Sequence, residues 1–132
     1  MDDVRLIWCA GFFDGEGCVR AQGNQLHVRV SQRERRPLEV FLDLFGGGSI
    51  YENPGTRFGR TYVQLHWCAT SSFAGKVLEL MLPYLVVKHE QAVLGIEFAH
   101  TYGVNGSRMS TSTRNRREEI CQQLKVLKKS GE

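Results

Sequence analysis

Between residues 18 and 32 apolar and polar side chains alternate singly, broken only at Gly23-Asn24. Val19 and Ala21 oppose Cys18, Arg20 and Gln22, and then Leu26, Val28 and Val30 oppose Gln25, His27, Arg29 and Ser31. A period of two marks a half-buried strand, and Gly-Asn supplies a tight turn, so the segment predicts a β-hairpin. The period then changes. Leu38, Phe41, Leu42 and Phe45 share one helical face, opened by Pro37 and stopped by Gly46-Gly47-Gly48. Residues 49–52 predict a short strand and Asn53-Pro54-Gly55 a flexible loop. Over residues 61–69, Val63, Leu65, Trp67 and Ala69 alternate with Tyr62, Gln64, His66 and Cys68, which predicts a fourth strand. Three helices follow. One is capped at Ser72, carries Phe73, Val77, Leu80 and Met81, and ends near Pro83; the second covers residues 88–100. After a polar loop at 103–112, the third covers 113–129 with Ile120, Leu124 and Leu127 inward. Helix, two strands, helix, two strands and further helices make an α+β layout around a four-stranded antiparallel sheet.

The opening segment has almost no polar face. Leu6, Ile7, Ala10 and Phe13 on one side and Trp8, Gly11 and Phe12 on the other require a helix buried nearly all round. Ala10 and Gly11 are small enough for two helix backbones to approach closely. The segment ends in Asp14-Gly15-Glu16-Gly17, so Glu16 is displayed just past a helix C-terminus. The helix dipole is negative there, and an anion is disfavoured. A hard divalent cation resolves the conflict, because it takes carboxylate and carbonyl oxygens. The plainer alternative is a core helix followed by a solvated turn.

Composition narrows the class. A chain of 132 residues with 42% apolar and 23% charged residues suits one soluble globular domain. No apolar run approaches the roughly 20 residues that span a bilayer, and Met-Asp-Asp lacks the basic start of a secretory signal. Cys9, Cys18, Cys68 and Cys121 show no metal spacing and read as reduced thiols of an intracellular protein. The net charge of +3 says little; its distribution says more. Acids crowd residues 1–16, whereas Arg20, Arg29, Arg33, Arg35 and Arg36 follow, and a basic run closes the chain. An acidic point beside basic zones suits a polyanion-binding surface around a metal.

Residues 9–17 resemble the signature of the LAGLIDADG homing endonucleases, in a variant form. Two further segments are similar to the small single-motif members. Residues 30–36, Val-Ser-Gln-Arg-Glu-Arg-Arg, match the place of an active-site Gln and a nearby basic residue. Residues 82–88, Leu-Pro-Tyr-Leu-Val-Val-Lys, match an LPYL segment followed by an active-site Lys. The resemblance covers roughly residues 5 to 100, so residues 1–100 are expected to form the endonuclease domain and 101–132 a loop with a basic helical extension.

The resemblance implies an αββαββα fold with a saddle-shaped sheet and an extra C-terminal helix. It assigns catalysis to Glu16, Gln32, Lys88 and Arg36. Metal falls to Glu16 and the Gly15 carbonyl, with Mg2+ as the ion, Mn2+ as another and Ca2+ as a non-productive substitute. Trp8, Ala10, Gly11, Phe12 and Asp14 would form the helix junction of a homodimer, with Asp14 accepting backbone N–H bonds across the paired helices. Duplex DNA would be read by Arg20, Gln22, Gln25, His27, Arg29 and Ser31 on the first hairpin and its end. Arg33, Tyr51, Tyr62, Gln64 and His66 would extend that surface. The implied reaction is hydrolysis of both strands of a long, near-palindromic target, in a bacterial or archaeal cytoplasm or an organelle. Other readings are a non-cleaving nucleic-acid binder, an RNA maturase, or a purely structural dimerisation domain.

Overall fold

The computed structural model describes residues 1–102 and 109–129. Helix α1 (Asp3–Glu16) leads into the hairpin β1 (Gly17–Gln22) and β2 (Gln25–Gln32). Helix α2 (Arg35–Phe45) connects to a second hairpin, β3 (Ser49–Arg57) and β4 (Arg60–Thr70). Helix α3 (Ser71–Met81), a 3-10 turn at Leu82–Tyr84, α4 (His89–Ala99) and α5 (Thr111–Lys129) complete the order. The sheet runs β1-β2-β4-β3, antiparallel throughout. The fold is therefore the α+β arrangement that the alternation predicts.

Helices cover one face of the sheet. Val19, Ala21, Leu26, Val28, Val30, Leu65, Trp67 and Ala69 point into them and are buried. Trp67 sits at the centre against Phe41 and Phe45, and its indole N–H donates to the Gly47 carbonyl at 3.0 Å. Burying the N–H with a partner removes the cost of desolvating it. Among the described residues no helix covers the opposite face of the sheet.

Three predictions need correction. The loop expected at Asn53-Pro54-Gly55 is strand, paired with Gln64, Val63 and Tyr62. On an edge strand a proline can turn its missing N–H away from the ladder. Gly55 gives room to the ring of Tyr62 opposite, since a Cβ there would fall 2.5 Å from Tyr62 Cζ. Val63 is 57% exposed, not in the core, because β4 outruns β2 and no helix covers it there. Helix α1 is not buried all round within one chain. Leu6, Cys9, Ala10 and Phe13 are inside, while Val4, Ile7, Trp8 and Gly11 lie open on the other side.

Helix α5 packs on α4 and β1 through buried Ile120 and Leu124. Arg117 is buried with it and donates to Thr101 Oγ1 at 2.7 Å and to Asn24 Oδ1 at 3.2 Å. Its guanidinium also lies over the rings of Phe98 and Tyr102. The Tyr102 hydroxyl accepts the Leu26 N–H at 2.9 Å. Together these contacts fasten the β1–β2 turn to the helical layer. Among the described residues no helix is long and apolar enough to cross a membrane.

Candidate functional site

The C-terminal end of α1 is tied to a segment more than 70 residues further on. Asp14 Oδ2 accepts the Val86 N–H at 2.8 Å and Oδ1 accepts the Lys88 N–H at 3.0 Å. The Lys88 ammonium returns to the Asp14 carbonyl at 2.6 Å and is buried with its side chain. A cation on the last carbonyls of a helix offsets the negative end of the dipole. That contact eases the conflict that the acids of the sequence pose. Asp14 is half-buried and occupied by its N–H donors. Glu16, the last residue of the helix, is exposed and makes no hydrogen bond or ion pair among the described residues.

Gly17, which follows Glu16, opens β1 opposite Val30, and β2 continues from there through Ser31 to Gln32. Gln32 Oε1 accepts the Arg33 N–H at 2.9 Å, and its amide N–H groups have no hydrogen-bond partner among the described residues. Arg36 lies in the first turn of α2, its side chain 84% exposed, and donates to Glu34 at 2.7 Å. Among the described residues no three His, Cys, Asp or Glu side chains gather into a metal-binding group.

The open face is a grid of polar side chains. Arg20 pairs across from His27, and Gln22 from Gln25. Arg29 stands between Cys18 and Cys68, and Ser31 faces His66, which faces Tyr51. Arg20 donates to Gln22 Oε1 at 2.6 Å, and His27 Nε2 lies 3.0 Å from Gln25 Oε1. The Arg33 guanidinium rests 4.4 Å from the centre of the Tyr62 ring. Gln64 lies in the same row as Asn53. His66 is on this face but only 4% exposed, under the stacked ring of Tyr51 and within 2.6 Å of Ser31 Oγ. Burial first, and the neighbouring Arg29 second, lower its pKa. His27 shifts the same way, through burial and then Arg20 and Arg29. Both imidazoles are thus held toward the neutral form, with a donor and an acceptor nitrogen each.

Of the residues that the sequence assigns to a helix junction, Ala10 is fully buried in its own chain and does not reach the open side. Phe12 is half-buried, stacked on Trp8 with ring centres 5.2 Å apart. Trp8 and Gly11 do face outward, and a Cβ at Gly11 would meet nothing within 4 Å. The Asp14 carboxylate takes its N–H donors from its own chain at Val86 and Lys88. Asn53 and Arg57 join the open face unannounced, because the Asn-Pro-Gly turn signal ends the predicted strand before them. Reading the alternation through that signal would have found them.

Comparison with solved structures identifies the architecture. The chain is similar to the homing endonuclease I-CvuI, solved in complex with the I-CreI target in the presence of Mg with the DNA not cleaved. Identity is 21% over 96% of this chain and 83% of that one, with a TM-score of 0.77. The archaeal intron-encoded homing endonuclease I-Vdi141I, complexed with DNA, matches at 17% identity over 96% and 86%, with a TM-score of 0.77. The LAGLIDADG meganuclease I-AabMI, bound to uncleaved DNA, matches at 19% over 89% of this chain, with a TM-score of 0.61. This chain covers 43% of that protein. No family model matches the sequence, and no curated protein matches it. The fold is that of the LAGLIDADG homing endonucleases.

Proposed function

We propose that the chain is one protomer of a homodimeric LAGLIDADG endonuclease that binds duplex DNA on the open sheet face and hydrolyses it with a divalent metal ion. One observation carries the reading: Glu16 is an exposed carboxylate with no partner among the described residues, at the end of a helix whose outer stripe is apolar and exposed. A second copy packed on Val4, Ile7, Trp8 and Gly11 buries that stripe and brings two such carboxylates together.

The donor chemistry fits half of a hard-cation site. Glu16 offers carboxylate oxygens and Gly15 a carbonyl, while DNA phosphate and the second copy would complete the set. Mg2+ bound there would polarise a phosphate oxygen and acidify water; Mn2+ is a further candidate and Ca2+ a non-productive one. The remaining roles belong to side chains. Asp14 fixes the end of α1. Lys88 places positive charge beside it, where charge develops on the phosphate. Gln32 directs its amide N–H groups to water or a phosphate oxygen. Arg36 needs only to exchange an exposed partner, Glu34, for phosphate, and such exposed pairs contribute little.

Arg20, Gln22, Gln25, His27, Arg29 and Ser31 supply mixed donors and acceptors for base edges and phosphates, and Arg33, Tyr51, Tyr62 and Gln64 extend them. His66 supports this surface from beneath Tyr51. Selection of cleaved sequences from a randomised duplex library with Mg2+ tests the reading. Double-strand cuts within a long, near-palindromic site are expected. Binding without cleavage in Mg2+ or Mn2+ would identify a non-cleaving relative instead.

A further inference from the structure

The second hairpin ends in a feature that stability does not explain. Beyond Gln32, β2 no longer accompanies β4, and β3 and β4 continue as a two-stranded ribbon. From Gln64 to Arg60 this two-stranded part extends about 13 Å at the usual strand rise, on the end of the sheet where α1 finishes. Its two turn residues are Phe58 and Gly59, with φ of 52° and 75°. Positive φ at both centres favours Asn-Gly, and phenylalanine is a strained choice at the first. The other hairpin has glycine, Gly23, at its positive-φ turn position.

Two further costs meet at the same place. Phe58 is 93% exposed, the most exposed of the large apolar side chains among the described residues. Arg57 and Arg60 lie directly opposite each other in the ladder, an unfavourable pairing of like charges. Neither donates to a carboxylate among the described residues; Arg57 rests 5.6 Å from the Phe58 ring. The exposed aromatic surface and the charge left without a carboxylate among the described residues are both relieved by one kind of partner, a polyanion with flat apolar faces between its charges.

We infer that this tip is a wedge for duplex DNA: Phe58 lays its ring against an opened base step while Arg57 and Arg60 hold the flanking phosphates. Apolar side chains set into base steps unstack and kink a duplex, which adds shape-dependent selectivity where no base edge is read. The inference rests on the DNA reading above and deepens it.

The test uses the whole chain and a target duplex recovered by the cleavage selection, with binding followed by fluorescence anisotropy across salt concentrations. Phe58→Asn is expected to raise Tm, since Asn accepts the turn geometry, and to weaken binding about tenfold, the scale of losing one stacked base. Its salt dependence should stay that of the wild type, and Phe58→Trp should restore affinity. Arg57→Gln with Arg60→Gln should lower the salt slope by about two. With 2-aminopurine scanned along the duplex, one step should brighten on wild-type binding and stay dark with Phe58→Asn. Equal binding by wild type and Phe58→Asn, with no probe brightening, would overturn the wedge and leave DNA binding intact. A wild type that binds no duplex would overturn both.

Discussion

Asp14 and Glu16 stand two residues apart and meet opposite surroundings. Asp14 is filled by two backbone N–H groups, and charge-assisted bonds of this kind contribute about 1.5–3 kcal/mol each. Asp14→Ala should therefore lower stability by about 2–4 kcal/mol in urea denaturation, whereas Glu16→Ala should stay within about 0.5 kcal/mol. Comparable losses for the two would contradict the division of roles. The sequence marks both acids as unusual for a helix end. It cannot show that the donors come from residues 86 and 88, because no local pattern encodes a contact over that separation. The histidines carry a pH signature. Folded His27 and His66 hold their neutral forms through burial and then through nearby arginine, so their pKa values are lowered. The unfolded imidazoles protonate near about pH 6.5. Their contribution is complete above that pH and is lost as pH falls toward the folded values. Thermal melts at pH 7.5 and 5.5 should show a larger fall for wild type than for the His27→Gln, His66→Gln variant; equal falls would contradict the assignment.

At the scale of elements, the decisive one is α1. Its inner residues Leu6, Cys9, Ala10 and Phe13 close the core of one chain, and burial raises the Cys9 thiol to about 12. Its outer residues Val4, Ile7, Trp8 and Gly11 have no cover among the described residues. The sequence demands burial all round but cannot tell which side a partner supplies, since both sides are equally apolar. The structure makes the distinction, with Ala10 inside and Gly11 outside. Gly11→Leu places its side chain in open space, so the folded chain should lose no stability and should gain about 1 kcal/mol of helix propensity. Sedimentation is expected to find the wild type dimeric and this variant monomeric, with DNA cleavage lost. A dimer that survives this change would mean that α1 is not the interface. The strands teach a different lesson. β1 and β2 are legible because alternation and turn chemistry agree there. β3 is misread past Glu52 because Asn-Pro-Gly speaks for a turn, while the ladder to Gln64, Val63 and Tyr62 overrides it.

At the scale of the whole molecule, the net charge of +3 conceals a division of labour. One sheet face is closed by helices and the other presents arginine, glutamine and aromatic groups, with the exposed carboxylate of Glu16 at the end of α1. The fold is legible in the order of periods, because β1, β2 and β4 and the helices bury faces that the periods already mark, while β3 buries no residue and is recognised only in its first few positions. The completeness of the site is not legible, because under the proposed function a second copy would have to supply the other acid. The most direct measurement takes a selected target duplex and follows binding and Mg2+-dependent cleavage in the same samples for wild type and Glu16→Gln. Wild type should cut both strands, while Glu16→Gln should bind with affinity within a few-fold of wild type and cut neither. Cleavage retained by Glu16→Gln would contradict the account at its centre.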